Sequence, residues 1–169
     1  MMLGRGLAAA ALAVVLDQVS KFLVLGYFGE IGCGNHRAVL TSFLDLVVTC
    51  NRGVSFGLFN QLARFNAEVF SVAAAIIVIV LVVWLVRTRS AFLAAAIGLI
   101  IGGAVGNVID RLRFGGVVDF LYFHAGAWYW PAFNLADSAI CIGVAAMLID
   151  SLLGRRAAPQ AEGREDILR

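Results

Sequence analysis

Two acidic residues of this chain stand where they could work as an acid–base pair. Asp119 lies in the apolar run VVDFLYF, and Asp137 lies in NLADSAICIG, where a long apolar segment begins. Neither has a basic neighbour at the spacing of a local helical pair. Two carboxylates a few ångströms apart cannot easily both ionise, so they share one proton. One can then activate a water while the other protonates a carbonyl oxygen, which predicts amide hydrolysis without a covalent intermediate.

Other hydrolytic chemistries fit the sequence less well. GVSFG at residues 53–57 matches G-x-S-x-G by pattern only, and the chain has no Ser/Lys constellation, since Lys21 is its only lysine. His36 and His124 lie far apart without H-E-x-x-H spacing, so no metal or other cofactor is expected and each histidine is predicted at the surface. A structural alternative for Asp137 is that it only caps its helix, a role for which Asn134 and Ser138 are rival candidates.

The composition is that of an integral membrane protein. Of 169 residues, 62% are hydrophobic and only 14% are charged, and the mean hydropathy is +0.92, well outside the usual range of soluble domains. The net charge of +2 comes from 13 basic and 11 acidic residues. This balance argues against nucleic acid or another polyanion as a partner.

Four segments are long and apolar enough to span a bilayer. The first resembles a signal peptide but has no convincing cleavage site, so it is interpreted as an uncleaved span. Arg87 and Arg89 lie in a very short connection, which the positive-inside tendency places in the cytoplasm together with both termini. We therefore predict one membrane domain over residues 1–154 and a polar cytoplasmic tail over 155–169, with spans at about 7–28, 69–86, 91–109 and 134–153.

This topology leaves two substantial segments, 29–68 and 110–133, at the outer face. AVLTSFLDLVVTC is rich in β-branched and aromatic residues and predicts one or two strands. NQLARFNAEVF predicts a short helix lying in the membrane interface, and an aromatic cluster follows at Trp128, Tyr129 and Trp130. The expected fold is mainly α, with four transmembrane helices, a small outer-face sheet and a short interfacial helix.

Other charged residues inside or at the ends of spans also need a reason, because an ionisable group at the bilayer centre costs at least about 2.5 kcal/mol. Asp17 and Lys21 are four residues apart and predict a structural ion pair. Asp110 and Arg111 close the third span, where mutual pairing or contact with lipid headgroups is the simple interpretation. Glycines at a four-residue spacing in the same span predict close approach of another helix: Gly98, Gly102 and Gly106.

The three cysteines leave the pairing open. Cys33 and Cys50 both fall in the outer segment, where a disulfide is chemically permitted, but the odd number of cysteines does not determine whether it forms. Cys141 is expected to be buried in the fourth span.

Two non-enzymatic functions remain alternatives on these residues alone. Acidic residues in the membrane could relay protons in a transporter, although they gather near one face and the chain lacks obvious duplicated halves. A small assembly subunit could dock through its glycine-spaced helix. A presenilin-like aspartic protease is a further enzymatic alternative, but the sequence has no G-x-G-D motif.

Four blocks of the sequence together resemble a known family. LDQVSKF, NRGVSFGLF, GGAVGNVIDRLRFGGVVDF and FNLADSAI occur in this order between about residues 12 and 150. In these blocks and in its length, the chain resembles the bacterial lipoprotein signal peptidases, signal peptidase II. Ser55 departs from the pattern, because alanine is common there in the family.

The resemblance implies an aspartic endopeptidase with Asp119 and Asp137 as the catalytic pair and no thiol in the mechanism. The implied substrate is a prolipoprotein cut on the amino side of a diacylglyceryl-modified cysteine, at the outer face of the bacterial cytoplasmic (inner) membrane. Membrane lipids are further partners, and we expect a monomer. The resemblance assigns substrate-binding or dyad-positioning roles to Asn51, Gly53, Asn107, Asp110, Arg111, Asn134 and Ala136, and structural support to Asp17 and Lys21.

Overall fold

The computed structural model describes residues 2–52 and 63–156. The helices are α1 (Met2–Phe28), α2 (Ala63–Arg87), α3 (Ala91–Phe114) and α4 (Leu135–Arg156). The strands are β1 (His36–Val39), β2 (Leu44–Asn51), β3 (Val117–Ala125) and β4 (Trp128–Tyr129). All four helices are long and apolar enough to cross a membrane. The chain is therefore a multi-pass membrane protein with a small antiparallel sheet, which confirms the predicted fold class.

Two differences between the observed and the predicted element bounds bear on the outer segments. α3 continues past residue 109 to Phe114, so its last turns extend beyond the predicted span. α2 begins at Ala63 and runs without a break to Arg87. The described part of the segment expected to form a separate interfacial helix is therefore the start of α2, and no glycine or proline interrupts ARFNAEVF to end a helix there.

Glycines of α3 bring α1 and α4 into close contact with this helix. Gly98 and Gly102 face α1, and Gly103 faces α4, each so close to a backbone carbonyl oxygen that an added Cβ would collide with it. This confirms the close helix approach predicted from the glycine spacing. α3 consequently lies between α1 and α4.

The sheet has the order β1-β2-β3-β4, with every neighbouring pair antiparallel. β1 and β2 confirm the predicted strands, whereas β3 and β4 were not predicted. Val48 of β2 and Val118 of β3 are fully buried and form one apolar cluster with Val24 and Leu25 near the end of α1. This packing attaches the sheet to the end of the bundle where α1 and α3 end and α4 begins, which we call the sheet end.

Two single-residue expectations are corrected by the structure. Cys141 was expected to be buried but is exposed on α4, because the packing surface of α4 faces α3 and Cys141 lies off it. His124 was predicted at the surface, but its side chain is only 20% exposed and lies 3.2 Å from the buried carboxylate of Asp45. Trp128, Tyr129 and Trp130 are exposed, and their placement in an interfacial belt remains a prediction.

Candidate active site

The two candidate aspartates come from different elements that meet at the sheet end. Gly115 ends α3 in the left-handed conformation, with φ 72°, and its N–H bonds to the carbonyl oxygen of Arg111 at 3.0 Å. This turn sends the chain directly into β3, where Asp119 is only 3% exposed. Asp137 lies in the first turn of α4 and is half-buried.

Asn134 connects the two aspartates directly. Its Nδ2 donates to Asp119 Oδ1 at 2.7 Å, and its Oδ1 accepts the backbone N–H of Asp137 at 2.9 Å. Asp137 Oδ2 in turn accepts the backbone N–H of Asn134 at 3.4 Å. Asn134 and Asp137 therefore form a reciprocal cap at the start of α4. The fully buried amide of Asn134 fixes the positions of both carboxyl groups.

Asn107 of α3 holds the other oxygen of Asp137. Its Nδ2 donates to Asp137 Oδ1 at 2.9 Å, while its Oδ1 accepts from Asn134 and from Lys21, each at 3.4 Å. A neutral amide suits this position because it can donate and accept without adding charge. Asn107 thus connects Asp137 to Lys21 and Asn134 inside the helix bundle.

A buried ion triad between α1 and α3 adjoins Asn107. Lys21 Nζ is 2.8 Å from Asp17 Oδ2 and 2.7 Å from Asp110 Oδ2, and all three side chains are at most 3% exposed. The predicted Asp17–Lys21 pair is confirmed. The simple pairing of Asp110 with Arg111 is not what is found, since Asp110 pairs with Lys21 on α1. Because α1 packs against α3, the carboxylate of Asp110 lies within reach of Lys21 as its second partner.

The two carboxylates of the triad also hold the elements that carry the aspartates. Asp110 Oδ2 accepts the backbone N–H of Val118 at 3.1 Å, one residue before Asp119. Asp17 Oδ1 accepts the backbone N–H of Ala136 at 3.0 Å, one residue before Asp137. The triad therefore fixes the start of β3 and the start of α4 relative to α1 and α3.

One residue of this network was not singled out from the sequence. Gln18 Nε2 lies 3.1 Å from Asp17 Oδ2 and 3.0 Å from Asp110 Oδ1, so it donates to the same two carboxylates as Lys21. The available signal was a polar amide next to Asp17 inside an apolar span. Gly106 leaves room for the Asp17 carboxylate, because a Cβ at this glycine would lie 2.6 Å from Asp17 Oδ2.

Burial and charge both favour the protonated form of Asp119. Burial is the larger cause and the charge of Asp137 is the next, and together they raise the pKa of Asp119 to about 7. Hydrogen bonds from Asn134 and Asn51, and the charge of Lys21, act in the opposite direction. A carboxyl group with this pKa can donate a proton near neutral pH.

The remaining predicted residues surround this pair. Asn51, the last residue of β2, hydrogen-bonds to Asp119. Arg111 Nη1 lies 3.4 Å from the carbonyl oxygen of Asn107, and its guanidinium lies 5.8 Å from the ring centre of Phe70 on α2. An open cavity of about 440 Å³ adjoins Arg111 between α2 and α3. Gly53 and Ser55 lie outside the described residues.

Within residues 2–52 and 63–156, no group of three or more His, Cys, Asp or Glu side chains could hold a metal ion. The arrangement is instead one buried and one half-buried carboxyl group joined by an amide, at the end of a four-span bundle. These features describe a multi-pass membrane protein with a candidate acid–base centre.

Comparison with known proteins identifies the family. A profile of signal peptidase (SPase) II matches residues 9–153. The lipoprotein signal peptidase of Methylorubrum extorquens (strain PA1) is 47% identical over 159 residues, covering 92% of this chain and 88% of the relative. That of Azoarcus sp. (strain BH72) is 44% identical over 158 residues, covering 92% and 86%. The chain belongs to the signal peptidase II family of aspartic endopeptidases, as the sequence blocks indicated.

Solved structures agree with this assignment. A bacterial membrane enzyme determined by the in meso method superposes on this chain with a TM-score of 0.76 and 29% identity, covering 94% of each chain. A second such enzyme gives a TM-score of 0.72 and 30% identity, covering 88% of this chain and 93% of its own. The transporter and assembly-subunit alternatives therefore lose their basis.

Proposed function

We propose that this enzyme hydrolyses its substrate through Asp119 and Asp137 acting as a shared-proton pair. The observation that carries the proposal is the position of Asn134, which hydrogen-bonds Asp119 and forms a reciprocal cap with Asp137. The raised pKa of Asp119, to which burial and the charge of Asp137 contribute, supports a proton on Asp119 in the free enzyme. The partial positive charge at the start of α4 favours the same distribution, because Asp137 lies in its first turn.

The reaction then follows from this starting state. Asp137 takes a proton from a water, whose oxygen attacks the scissile carbonyl carbon, and Asp119 gives its proton to the carbonyl oxygen. Asp119 next takes a proton from one hydroxyl of the resulting diol. Asp137 gives its proton to the leaving nitrogen as the C–N bond breaks. The products are a carboxylic acid and an amine, and the pair again holds one proton.

The surrounding residues would act by positioning. Asn107 and Asn134 fix the orientation of the two carboxyl groups, and the Lys21 triad fixes the elements that carry them. Arg111 lies close enough to the pair for its charge to interact with both carboxylates. Its guanidinium can hold a substrate carbonyl, and the adjoining cavity offers room for part of the peptide.

We infer that the substrate is a prolipoprotein whose cysteine already carries a diacylglyceryl group, cut on the amino side of that cysteine. The name lipoprotein signal peptidase, borne by the relatives, supports a prolipoprotein substrate. A site at the ends of spanning helices can leave acyl chains in the bilayer while water reaches the carboxylates. Surrounding lipids are further partners, and the enzyme is proposed to act as a monomer.

The sheet end is proposed to face outward from the bacterial inner membrane. Arg87 and Arg89, at the opposite end of the bundle, favour a cytoplasmic position for that end and for both termini. The Cys33–Cys50 disulfide at the sheet end supports the same orientation, because disulfides persist on the oxidising side of the membrane.

Asp119→Asn and Asp137→Asn test the acid–base pair. Each variant should lose at least about a thousandfold in kcat on a diacylglyceryl-modified peptide, because removing one member of a catalytic unit removes most of its effect. Both should remain folded in detergent, since asparagine preserves the shape of the side chain. Chelators should not change the wild-type rate. Near wild-type cleavage by either variant would refute the mechanism, and Asp45→Asn provides a control at a buried carboxylate outside the pair.

A further inference from the structure

The Cys33–Cys50 disulfide lies beside a residue that contacts the candidate acid. It joins the segment after α1 to β2, with the two Cα atoms 5.1 Å apart and a sequence separation of 17. Asn51 follows Cys50 directly and hydrogen-bonds to Asp119. The acid–base mechanism of Asp119 and Asp137 does not itself use the disulfide.

Both sulfur atoms are closely surrounded at the turn from α3 to β3. A Cβ at Gly116 would lie 2.5 Å from Cys50 Sγ, so this glycine makes room for the sulfur. Cys33 Sγ lies 3.8 Å from the carbonyl oxygen of Phe114 at the end of α3. The cross-link therefore holds β2 against the same turn that leads into Asp119.

Asn51 needs such a restraint because of its place in the sheet. It is the last residue of β2 and pairs with Val117 of β3, while Cys50 pairs with Val118. The end of a strand has ladder neighbours on one side only and opens more readily than its centre. A covalent link one residue before the end limits this opening.

We propose that the Cys33–Cys50 disulfide positions Asn51 against Asp119, so that turnover depends on the oxidised state of these two cysteines. The inference rests on the proposed acid role of Asp119. Reduction by dithiothreitol breaks the S–S bond and leaves two thiols, while the reagent becomes a cyclic disulfide. Oxidised glutathione can accept the same two electrons and restore the bond.

The proposal predicts an effect on the pH profile as well as on the rate. Among the described residues, the charged groups that interact with Asp119 are Asp137 of α4, Lys21 of α1 and Arg111 of α3. The hydrogen bond from Asn51 lowers the pKa of Asp119 against the effects of burial and Asp137. Loss of this hydrogen bond should therefore move the basic limb of kcat/KM to higher pH and lower kcat, with little change in KM.

The experiment compares oxidised and reduced wild-type enzyme on a diacylglyceryl-modified peptide. Thiol titration should give one free thiol before reduction and three after it, since the chain has three cysteines and Cys141 is free. Reduction, or the double substitution Cys33→Ser/Cys50→Ser, should lower kcat by up to about tenfold, the upper scale of one lost hydrogen bond. Reoxidation should restore the wild type but not the double variant. Cys141→Ser should keep both the activity and the response to reduction.

Asn51→Ala makes the test specific for positioning. It should show the same loss of kcat and the same shift of the basic limb, and reducing this variant should add nothing further. Unchanged kcat with three free thiols would overturn the inference. So would an equal loss on reducing Asn51→Ala, or a loss that only follows the fraction of unfolded protein. Failure of the proposed function is distinguishable, because Asp119→Asn would then cleave as fast as oxidised wild type.

Discussion

Lys21→Met is expected to cause a large loss of stability. Lys21 is the only lysine of the chain, and its ammonium lies within 2.8 Å of one carboxylate oxygen from each of Asp17 and Asp110. Methionine has a similar length and is apolar, so the change removes the charge with little change in volume. Among the described residues, the side-chain donor that remains to these two buried carboxylates is the neutral amide of Gln18.

The magnitude follows from the burial of the triad. The side chains of Lys21, Asp17 and Asp110 are 3%, 0% and 1% exposed, so water can stabilise the remaining charges very little. Removal of one partner from a buried pair costs about 3–5 kcal/mol. The free energy of unfolding of Lys21→Met should fall by this amount. Its activity should fall too, since the triad fixes the starts of β3 and α4.

Reversible unfolding in detergent micelles, followed by circular dichroism, measures this effect. Arg5→Met is the matched control, because it removes a positive charge from an exposed position on the same helix and should change stability by less than about 0.5 kcal/mol. The double variant Lys21→Met/Asp110→Asn removes one of the two carboxylate charges. It should therefore be more stable than Lys21→Met alone.

Two results would refute this reasoning. One is a Lys21→Met enzyme within about 1 kcal/mol of the wild type, which would mean that the buried charges are compensated in another way. The other is a double variant less stable than Lys21→Met, because the two substitutions would then act independently rather than through a shared charge.

The sequence predicted the spans better than the sheet. Helical spans need long apolar segments, and that signal is strong in this chain. β3 was missed because VVDFLYF is a short apolar run, and periodicity alone cannot distinguish such a run from part of a helix. Its β-branched and aromatic residues were the available signal. The strand matters because it directs Asp119 back toward the start of α4.

Contacts between distant segments were the least predictable part of the site. The four-residue spacing of Asp17 and Lys21 gave a complete local explanation of both charges, so nothing in the sequence required Asp110 as a third member. From the sequence alone, capping of α4 and pairing with Asp119 are alternative roles for Asp137. In the structure, Asp137 accepts the backbone N–H of Asn134 as a capping contact, and the side-chain amide of Asn134 accepts the backbone N–H of Asp137 and donates to Asp119. A single buried amide therefore allows both interpretations to hold together.

Three further predictions concern the acid, the helix packing and the substrate anchor. Because the pKa of Asp119 is raised to about 7, its carboxyl group holds a proton below that pH and loses it above that pH. The measured kcat/KM should therefore fall about tenfold per pH unit above roughly 7. A kcat/KM that stays flat from about pH 6 to 9 would contradict a shared proton. Gly102→Ala should lower the free energy of unfolding by about 1–3 kcal/mol, because the added Cβ would collide with α1. Gly4 has open space around it, so Gly4→Ala should leave the free energy of unfolding unchanged in the same measurement. The lipid on the substrate should be required because it sets the depth of the modified cysteine in the membrane. Each acyl methylene held in hydrocarbon is worth about 0.8 kcal/mol, so two acyl chains would hold this cysteine at the interface. The start of α4 fixes the level of Asp137 there. A bare peptide of the same sequence, assayed in the same liposomes, should be cut at least about a hundredfold more slowly, the scale of a small misplacement of reacting groups, and equal kcat/KM for the two peptides would show that sequence alone is recognised.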